Sequence, residues 1–210
     1  MKRILQVELA LVNAQEKTGI IPAGAGKKLE VIFQDLSIDL DQLSGKVPLS
    51  GNIAAALMKE VVKQIKSVDP SLAGYIHLGA TSQDIVDTAA VIKIEAYHRW
   101  LEGLLLNLEK TLIQLSREHA ETVMIGRTLL QQALPITFGL KTAHWFQGVK
   151  ASRELLDFLV QRLLSIQLGG AVGSGNEYLT ASVRAYFAES LTLKNGPSWH
   201  TERSRPPLQD

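Results

Sequence analysis

The fold is decided by the stretch His77-Leu-Gly-Ala-Thr-Ser-Gln-Asp-Ile-Val-Asp-Thr88, which leads into the longest helical pattern of the sequence. Thr81 is followed three residues later by Asp84, and this capping-box spacing predicts that a helix begins here. A helix N-terminus with free backbone N–H groups and neighbouring hydroxyls also suits an anion. Two interpretations therefore stay open: Thr81 and Ser82 cap the helix, or they bind the carboxylate of a ligand.

Two long helices are predicted on either side of a central break. From Asp84 to about Glu118, apolar residues recur every three or four positions, which predicts a helix on the order of 50 Å long. The recurring residues are Ile85, Ala89, Ile92, Ala96, Trp100, Leu104, Leu108, Leu112 and Leu115. A second long helix is predicted from about Thr137 to Gln167, ended by the glycines that follow it. Apolar faces this wide need other long helices to cover them.

The remaining chain shows shorter helical patterns and no strand alternation, so the predicted fold class is all-α. Residues 1–80 are expected to form a small N-terminal helical domain. Residues 81–210 are expected to form the first part of a central bundle of long antiparallel helices, and both domains are expected to be incomplete. Shorter helices are predicted at Ile4–Ala14, Gly26–Phe33, Gly51–Ile65 and Leu179–Leu191, with loops at Asp35–Pro48 and Glu121–Thr137.

Composition excludes several classes of protein. The 210 residues carry a net charge of +1, with basic residues spread along the chain, which argues against nucleic-acid or membrane-surface binding. There are no cysteines, which excludes disulfides and thiolate metal sites and is compatible with the cytoplasm. No apolar run approaches the roughly 18 residues of a membrane span. Gln6 and Glu8 interrupt the apolar start, so a signal peptide is rejected.

Common cofactor motifs fail on spacing. Gly24-Ala-Gly-Lys-Lys28 is not a phosphate loop, because Ile21 stands where the first glycine is needed. Gly173-x-Gly175 lacks a preceding strand, which weakens a dinucleotide interpretation. The histidines show no metal-ligand spacing, so neither metal nor cofactor is predicted. They are His77, His98, His119, His144 and His200.

Two further places leave a structural and a functional interpretation open. His77 precedes the candidate anion site by four residues, and it is either a structural histidine or part of that site. The segment Gly126-Arg-Thr-Leu-Leu-Gln-Gln-Ala-Leu-Pro135 is polar where it interrupts an apolar chain. Its Thr128 and Gln131 either satisfy loop backbone groups or direct hydrogen bonds into a site.

Taken together, four segments resemble the fumarase/aspartase superfamily and, within it, the 3-carboxy-cis,cis-muconate cycloisomerases, or lactonizing enzymes, of aromatic catabolism by the β-ketoadipate pathway. The resemblance runs in the right order from about Gln6 to Arg205. The segments are His77–Thr88, Gly126-Arg-Thr-Leu-Leu-Gln-Gln-Ala-Leu-Pro-Ile-Thr-Phe-Gly139, Gln167-Leu-Gly-Gly-Ala-Val-Gly173 and Trp199-His-Thr-Glu-Arg203.

The resemblance implies a cytoplasmic homotetramer with a central helical bundle and active sites built from three subunits. It implies a small polycarboxylate substrate, no cofactor, and a carbanion stabilised as an enolate by preorganised donors. It also implies a set of seven substrate-binding residues. Those of the His77–Thr88 segment contact the substrate, Thr128 and Gln131 lie across the site, and Arg203 adds positive charge. This set is His77, Thr81, Ser82, Gln83, Thr128, Gln131 and Arg203.

One position separates the branches on chemical grounds. In the fumarase and adenylosuccinate lyase patterns, a histidine follows the Arg-Thr pair and is linked to proton delivery to the leaving group, whereas this chain has Leu129. A departing amine or hydroxide benefits from a general acid, but a carboxylate, with a pKa of about 4, leaves without one. Leu129 therefore favours the cycloisomerase branch over the lyases.

The sequence also departs from the family pattern. The family has a helical segment before the position of Met1 and further bundle helices beyond Arg205. Its serine-rich loop, source of the proposed base, is absent, so no catalytic residue is assigned. Ser204 stands where an aspartate is usual, and Pro206-Pro207 would obstruct the next helix. The sequence thus predicts a truncated chain, and two alternatives stay open: another superfamily lyase, or an inactive remnant that only associates through its helices.

Overall fold

The structure is a computed structural model that describes residues 1–197. Within them it contains seven α-helices, a short 3-10 helix and one two-stranded hairpin, which confirms the all-α class. None of these helices is both long and apolar enough to cross a membrane. The helices are α1 (Lys2–Lys17), α2 (Ala25–Gln34), α3 (Leu40–Ser50), α4 (Ile53–Val68), α5 (Ser82–Glu118), α6 (Phe138–Leu163) and α7 (Ala181–Leu191); the 3-10 helix is Pro70–Leu72, and the strands are β1 (Val123–Thr128) and β2 (Gln131–Thr137).

The chain divides into two compact units. Among the described residues, the first unit comprises Met1–Lys93 together with residues 163–197, and the second unit comprises Ile94–Arg162. Helices α5 and α6 each contribute residues to both units. The domain boundary at residues 80 and 81 stays a prediction.

In the first unit, helix α1 is the centre of the core. It packs against α2 and α7, while α3 packs against α4. Val7 and Leu11 of α1, Leu57 of α4 and Phe187 of α7 are fully buried. Each such side chain stabilises the fold by roughly 1.5–3 kcal/mol relative to exposure.

Helix α3 corrects the loop predicted over Asp35–Pro48. Asp39 caps this helix, because its carboxylate accepts hydrogen bonds from the backbone N–H groups of the first helical turn at 2.9 and 3.1 Å. The sequence pattern does not predict this helix, for two reasons. Leu43 is its only buried residue, so it has no apolar stripe, and Pro48 inside it normally signals a helix end.

The β-hairpin corrects the expectation that the chain holds no strand. Strands β1 and β2 are antiparallel, with a register irregularity between Ile125 and Arg127. Leu129 and Leu130 form the turn with φ values of 45° and 62°, a conformation that usually selects Asn-Gly. Both leucines are more than 90% exposed, and most of β2 is exposed as well. Because neither face of β2 is buried, its sequence shows no alternation, and its leucine turn carries no hairpin signal.

Both predicted long helices are present: α5 matches its predicted extent within two residues, whereas α6 ends at Leu163, four residues before the predicted Gln167. Helix α5 has 37 residues, which corresponds to about 55 Å. In the second unit, Arg153 of α6 donates to Glu109 of α5 at 2.6 Å, and Asp157 of α6 lies 2.7 Å from Nε2 of His98. As residue numbers rise along α5, their partners on α6 fall, so these parts of the helices are antiparallel, as the sequence predicts.

Candidate functional site

The start of α5 is anchored by the buried carboxylate of Asp84. Its Oδ1 accepts hydrogen bonds from Nε2 of Gln167 at 3.0 Å and from the backbone N–H of Gly169 at 2.9 Å. Its Oδ2 accepts from the backbone N–H of Gly170 at 2.8 Å and of Thr81 at 3.1 Å. Four donors therefore fix one fully buried carboxylate, which locks the first turn of α5 to the loop that follows α6.

A second pair of bonds fixes the same loop one helical turn further along. The buried hydroxyl of Thr88 donates to the backbone carbonyl of Gln167 at 2.8 Å and accepts from its backbone N–H at 3.0 Å. Gln167 is thus held through both its backbone and its side chain, and is itself fully buried. The segment Gln167–Gly173, which contributes to the family resemblance, therefore has a structural role: it is hydrogen-bonded to the N-terminal turns of α5.

Thr81 and Ser82 carry the hydroxyls at this N-terminus. One of the two hydrogen bonds of the predicted capping box is present: the Thr81 backbone N–H donates to the Asp84 carboxylate. The other bond is missing: the Asp84 N–H donates to the Thr81 carbonyl at 3.0 Å rather than to its hydroxyl. Among the described residues, neither hydroxyl hydrogen-bonds a protein atom, and both side chains are half-buried. They remain available for an anion at the positive end of the helix dipole.

His77 is held by a glutamate of α1. One carboxylate oxygen of Glu8 lies 2.6 Å from Nδ1 of His77, and the other accepts the His77 backbone N–H at 3.1 Å. The Glu8 side chain is fully buried, whereas the His77 side chain is 25% exposed, so the ring keeps access to a ligand.

The charges around His77 favour its protonated form. Burial alone would lower the pKa of His77, but the hydrogen bond to Glu8, the charge of Glu8 and the charge of Asp84 outweigh burial and raise this pKa above its ordinary value of 6.5. A protonated imidazole attracts carboxylates, which agrees with the anion-binding interpretation of this region.

Unlike Thr81 and Ser82, Gln83 forms a side-chain hydrogen bond within α5. Its side-chain amide donates to the carboxylate of Asp87, one helical turn later, at 2.5 Å. This bond uses one of the two amide hydrogens, so the side chain keeps a second donor and its carbonyl oxygen.

Thr128 and Gln131 lie in the second unit, at the two ends of the hairpin turn. They are register partners across the strands, so the structure brings these two predicted residues together. Both are exposed. The seventh predicted residue, Arg203, and its segment Trp199–Arg203 lie outside the described residues.

The second unit also contains a cavity of about 320 Å³ between the hairpin and the start of α6. Three basic side chains contribute to it, together with an indole ring, and its other walls are apolar. The lining residues are Met124, Ile125, Gly126, Arg127, Ile136, Leu140, Lys141, His144 and Trp145. Neither Thr128 nor Gln131 lines it.

Sequence reasoning missed two residues of α1 that hold the loop before α5. Glu8 binds His77, and Gln15 donates through Nε2 to the carbonyl oxygens of Leu78 at 2.9 Å and Tyr178 at 3.1 Å. A signal existed, because Glu8 and Gln15 lie seven residues apart on the apolar face of a core helix. Buried polar residues in such a stripe usually have specific partners.

Comparison with known proteins places this architecture in a family. The family model described as Lyase matches residues 7–205. The chain is 35% identical to the 3-carboxy-cis,cis-muconate cycloisomerases of Bradyrhizobium diazoefficiens, over 98% of this chain and 46% of that protein, and of Acinetobacter baylyi, over 96% and 46%. The crystal structure of the 3-carboxy-cis,cis-muconate lactonizing enzyme from Pseudomonas putida superposes with a TM-score of 0.91 at 36% identity, over 98% of this chain and 47% of that one.

The chain therefore spans about half the length of the relatives that it matches. The match covers both long helices, the hairpin between them and the loop that Asp84 anchors. On this evidence, the chain belongs to the lyase family of the fumarase/aspartase superfamily.

Proposed function

We propose that the protein is a 3-carboxy-cis,cis-muconate cycloisomerase, which adds a carboxylate oxygen of the substrate across one of its own double bonds to form a muconolactone. One C–O bond forms, the π electron pair moves to the adjacent carbon, and a proton is added there. The reaction needs no redox partner and no cofactor. The similarity of nearly the whole chain to enzymes of that name supports the proposal.

The observation that carries the proposal is the pair of hydroxyls on Thr81 and Ser82, which hydrogen-bond no other group in residues 1–197. They lie at the N-terminus of a 37-residue helix, with the His77 ring four residues before the first of them. Because both side chains are only half-buried, a ligand can reach the two hydroxyls. A carboxylate bound here would accept hydrogen bonds from the hydroxyls and gain roughly 0.3–1 kcal/mol from the helix dipole.

Each remaining predicted residue has a role in this mechanism. Gln83 adds an amide donor beside the hydroxyls. By the family resemblance, Thr128 and Gln131 would reach the substrate from another subunit of the assembled enzyme. Arg203 supplies positive charge for the dianion that forms when the carbanion is delocalised into its neighbouring carboxylate. The residue that transfers the proton is not assigned in this chain.

Leu129 selects the cycloisomerase chemistry over that of the related lyases. It lies at the hairpin tip beside Thr128, and its side chain is 91% exposed and cannot donate a proton. A carboxylate leaving group, with a pKa of about 4, needs no protonation when the lactone opens in the reverse direction.

The active form that we propose is a cytoplasmic homotetramer working in aromatic catabolism by the β-ketoadipate pathway. Residues 1–80 would form its N-terminal domain, and residues 81–210 the start of its central bundle. The long helices support this assembly, because α5 exposes Trp100, Leu104 and Leu108 in the second unit. Exposed apolar faces of this kind mark surfaces that associate.

A direct assay tests the activity. Purified chain is mixed with 3-carboxy-cis,cis-muconate, and lactone formation is followed as loss of ultraviolet absorption by the conjugated diene. Sedimentation gives the oligomeric state, and adenylosuccinate is offered in parallel. We expect a tetramer that consumes the muconate and leaves adenylosuccinate intact.

Ligand binding tests the site itself, independently of turnover. A ligand that binds only the folded state raises the melting temperature, so the muconate should stabilise the chain. The double variant Thr81→Val/Ser82→Ala should lose most of this shift, whereas Thr111→Val, on the exposed surface of α5, should keep it. An equal shift in both variants would refute the site. Fumarate release from adenylosuccinate would make the protein a lyase, and a monomer that neither binds nor reacts would be an inactive remnant.

A further inference from the structure

Helix α1 holds the loop before α5 from one face with two buried polar side chains. Glu8 binds His77, and Gln15, two turns later, binds the carbonyl of Leu78. Both side chains are completely buried. Burying a carboxylate costs free energy unless hydrogen bonds compensate, so this arrangement is stable only because Glu8 receives two donors from a single residue.

The backbone of His77 needs this support. Its φ of 60° lies in the left-handed region, which costs a non-glycine residue of order 1–3 kcal/mol. Glu8 accepts the backbone N–H and contacts the ring of the same residue, so one carboxylate fixes both the main-chain conformation and the side-chain orientation. Strained residues held in this way cluster at functional sites.

The ring has two nitrogens, and among the described residues only Nδ1 has a hydrogen-bond partner. Nδ1 faces Glu8, while Nε2 makes no hydrogen bond with any other described residue. A carboxylate at Nδ1 also makes that nitrogen the protonated one, because a carboxylate only accepts. The charges that act on the ring come from Glu8 on α1 and from Asp84 on α5. Asp84 in turn interacts with Arg184 of α7.

We propose that Glu8 is a positioning residue: its carboxylate binds Nδ1 of His77 and leaves Nε2 as the donor that the ring offers to a substrate carboxylate. This role rests on the proposed function, because it requires His77 to meet the substrate. The negative charge of Glu8 also opposes the effect of burial and raises the pKa of His77, which favours the cationic ring in which Nε2 is a donor.

The first test measures the ring itself, without substrate. The imidazole resonances of the chain are followed by NMR as a function of pH, and His77 is assigned by its absence in His77→Gln. We expect wild-type His77 to titrate above 6.5 and the Glu8→Gln variant to titrate at or below this value, because burial persists while the carboxylate is gone. The control Glu30→Gln removes an exposed carboxylate of α2 and should leave the titration unchanged.

The wild type alone decides the matter if Glu8→Gln does not fold. Nitrogen chemical shifts of the ring report which nitrogen carries hydrogen. We expect Nδ1 to be protonated at every pH at which the chain is folded. A ring that titrates at or below 6.5, or that carries its hydrogen only on Nε2, overturns the proposal.

The second test separates positioning from simple stabilisation. Calorimetry gives the affinity for 3-carboxy-cis,cis-muconate at several pH values for the wild type, Glu8→Gln and Glu8→Asp. At about pH 7, Glu8→Gln should bind roughly tenfold more weakly, because its ring is protonated less often than that of the wild type. At about pH 5.5 the difference should shrink, since a larger fraction of the variant's rings is then protonated, and Glu8→Asp should bind between the two.

These outcomes distinguish the proposed function from the role of Glu8. Wild-type protein that does not bind the muconate, although its His77 titration depends on Glu8, refutes the proposed function. Binding of the muconate with a titration that ignores Glu8 refutes the positioning role. An equal loss of affinity at every pH means that Glu8 only stabilises the fold, which also overturns the proposal.

Discussion

Replacing Asp84 by asparagine should destabilise the chain strongly, although the two side chains have nearly the same shape. Each oxygen of Asp84 accepts two hydrogen bonds. In asparagine, one oxygen becomes an NH₂ group. Whichever way the amide is oriented, its nitrogen faces two N–H donors, so two of the four bonds are lost.

The magnitude follows from this count. A hydrogen bond to a charged group contributes about 1.5–3 kcal/mol, so two lost bonds correspond to roughly 3–6 kcal/mol. Partial relaxation lowers this sum, and we expect a loss of about 4 kcal/mol. Since domains of this kind have total stabilities of about 5–15 kcal/mol, the variant should fold but only marginally.

Urea denaturation measures this loss. With a slope of about 2 kcal/mol per molar urea, the midpoint should fall by about 2 M. The matched control is Asp35→Asn, which changes an exposed carboxylate that bonds no other described residue and should shift the stability by less than about 0.5 kcal/mol. An Asp84→Asn variant within 1 kcal/mol of Asp35→Asn, at an unchanged slope, would refute the account of Asp84 as an anchor.

Three further predictions concern the same region. Gly79→Ala should lose about 2–4 kcal/mol in urea denaturation, because its φ is 75° and a Cβ would lie 2.7 Å from a side-chain oxygen; Gly19→Ala, with the same φ and nothing within 4 Å, should lose only about 1 kcal/mol, and equal losses would contradict the steric argument. Thr88→Val should lose about 2–3 kcal/mol, because both backbone groups bound by its buried hydroxyl lose their partner, whereas exposed Thr111→Val should change stability by less than about 0.5 kcal/mol. The raised pKa of His77 means that protonated His77 stabilises the fold fully below its unfolded pKa near 6.5, and that this stabilisation disappears as pH rises through the folded pKa. The free energy of unfolding should therefore decrease more between about pH 6 and about pH 8 for the wild type than for His77→Gln. Equal decreases in the two proteins would contradict the linkage.

The sequence predicted those parts of the fold in which many residues share one period. Helix α5 repeats its apolar positions over ten turns, so even its first turn was located within two residues. Helix α3 and the hairpin were missed for the opposite reason. They bury almost nothing within the described chain, and a periodic signal exists only where one face is buried.

The candidate site was predictable in its motifs but not in its connections. His77, Thr81 and Ser82 follow one another in a short segment, so their proximity needed no structure. The partners of His77 and Asp84 come from α1 and from the loop after α6, and no local spacing relates them. Glu8 stood out only as a charge within an apolar stripe, which is a signal that a partner exists but not which one.

The anchoring of Asp84 has a consequence for how the protein emerges from the ribosome. Three of the donors to this carboxylate lie 83, 85 and 86 residues further along the chain, so they are synthesised seconds after it. Until then the Asp84 carboxylate is hydrated and the first turn of α5 lacks these three bonds, and closing so long a loop is entropically costly. The N-terminal end of α5, the longest helix among the described residues, is therefore among the last places in the first unit to become ordered during translation, and a nascent chain stalled before Gln167 would contain the His77–Thr88 segment without the bonds that fix it.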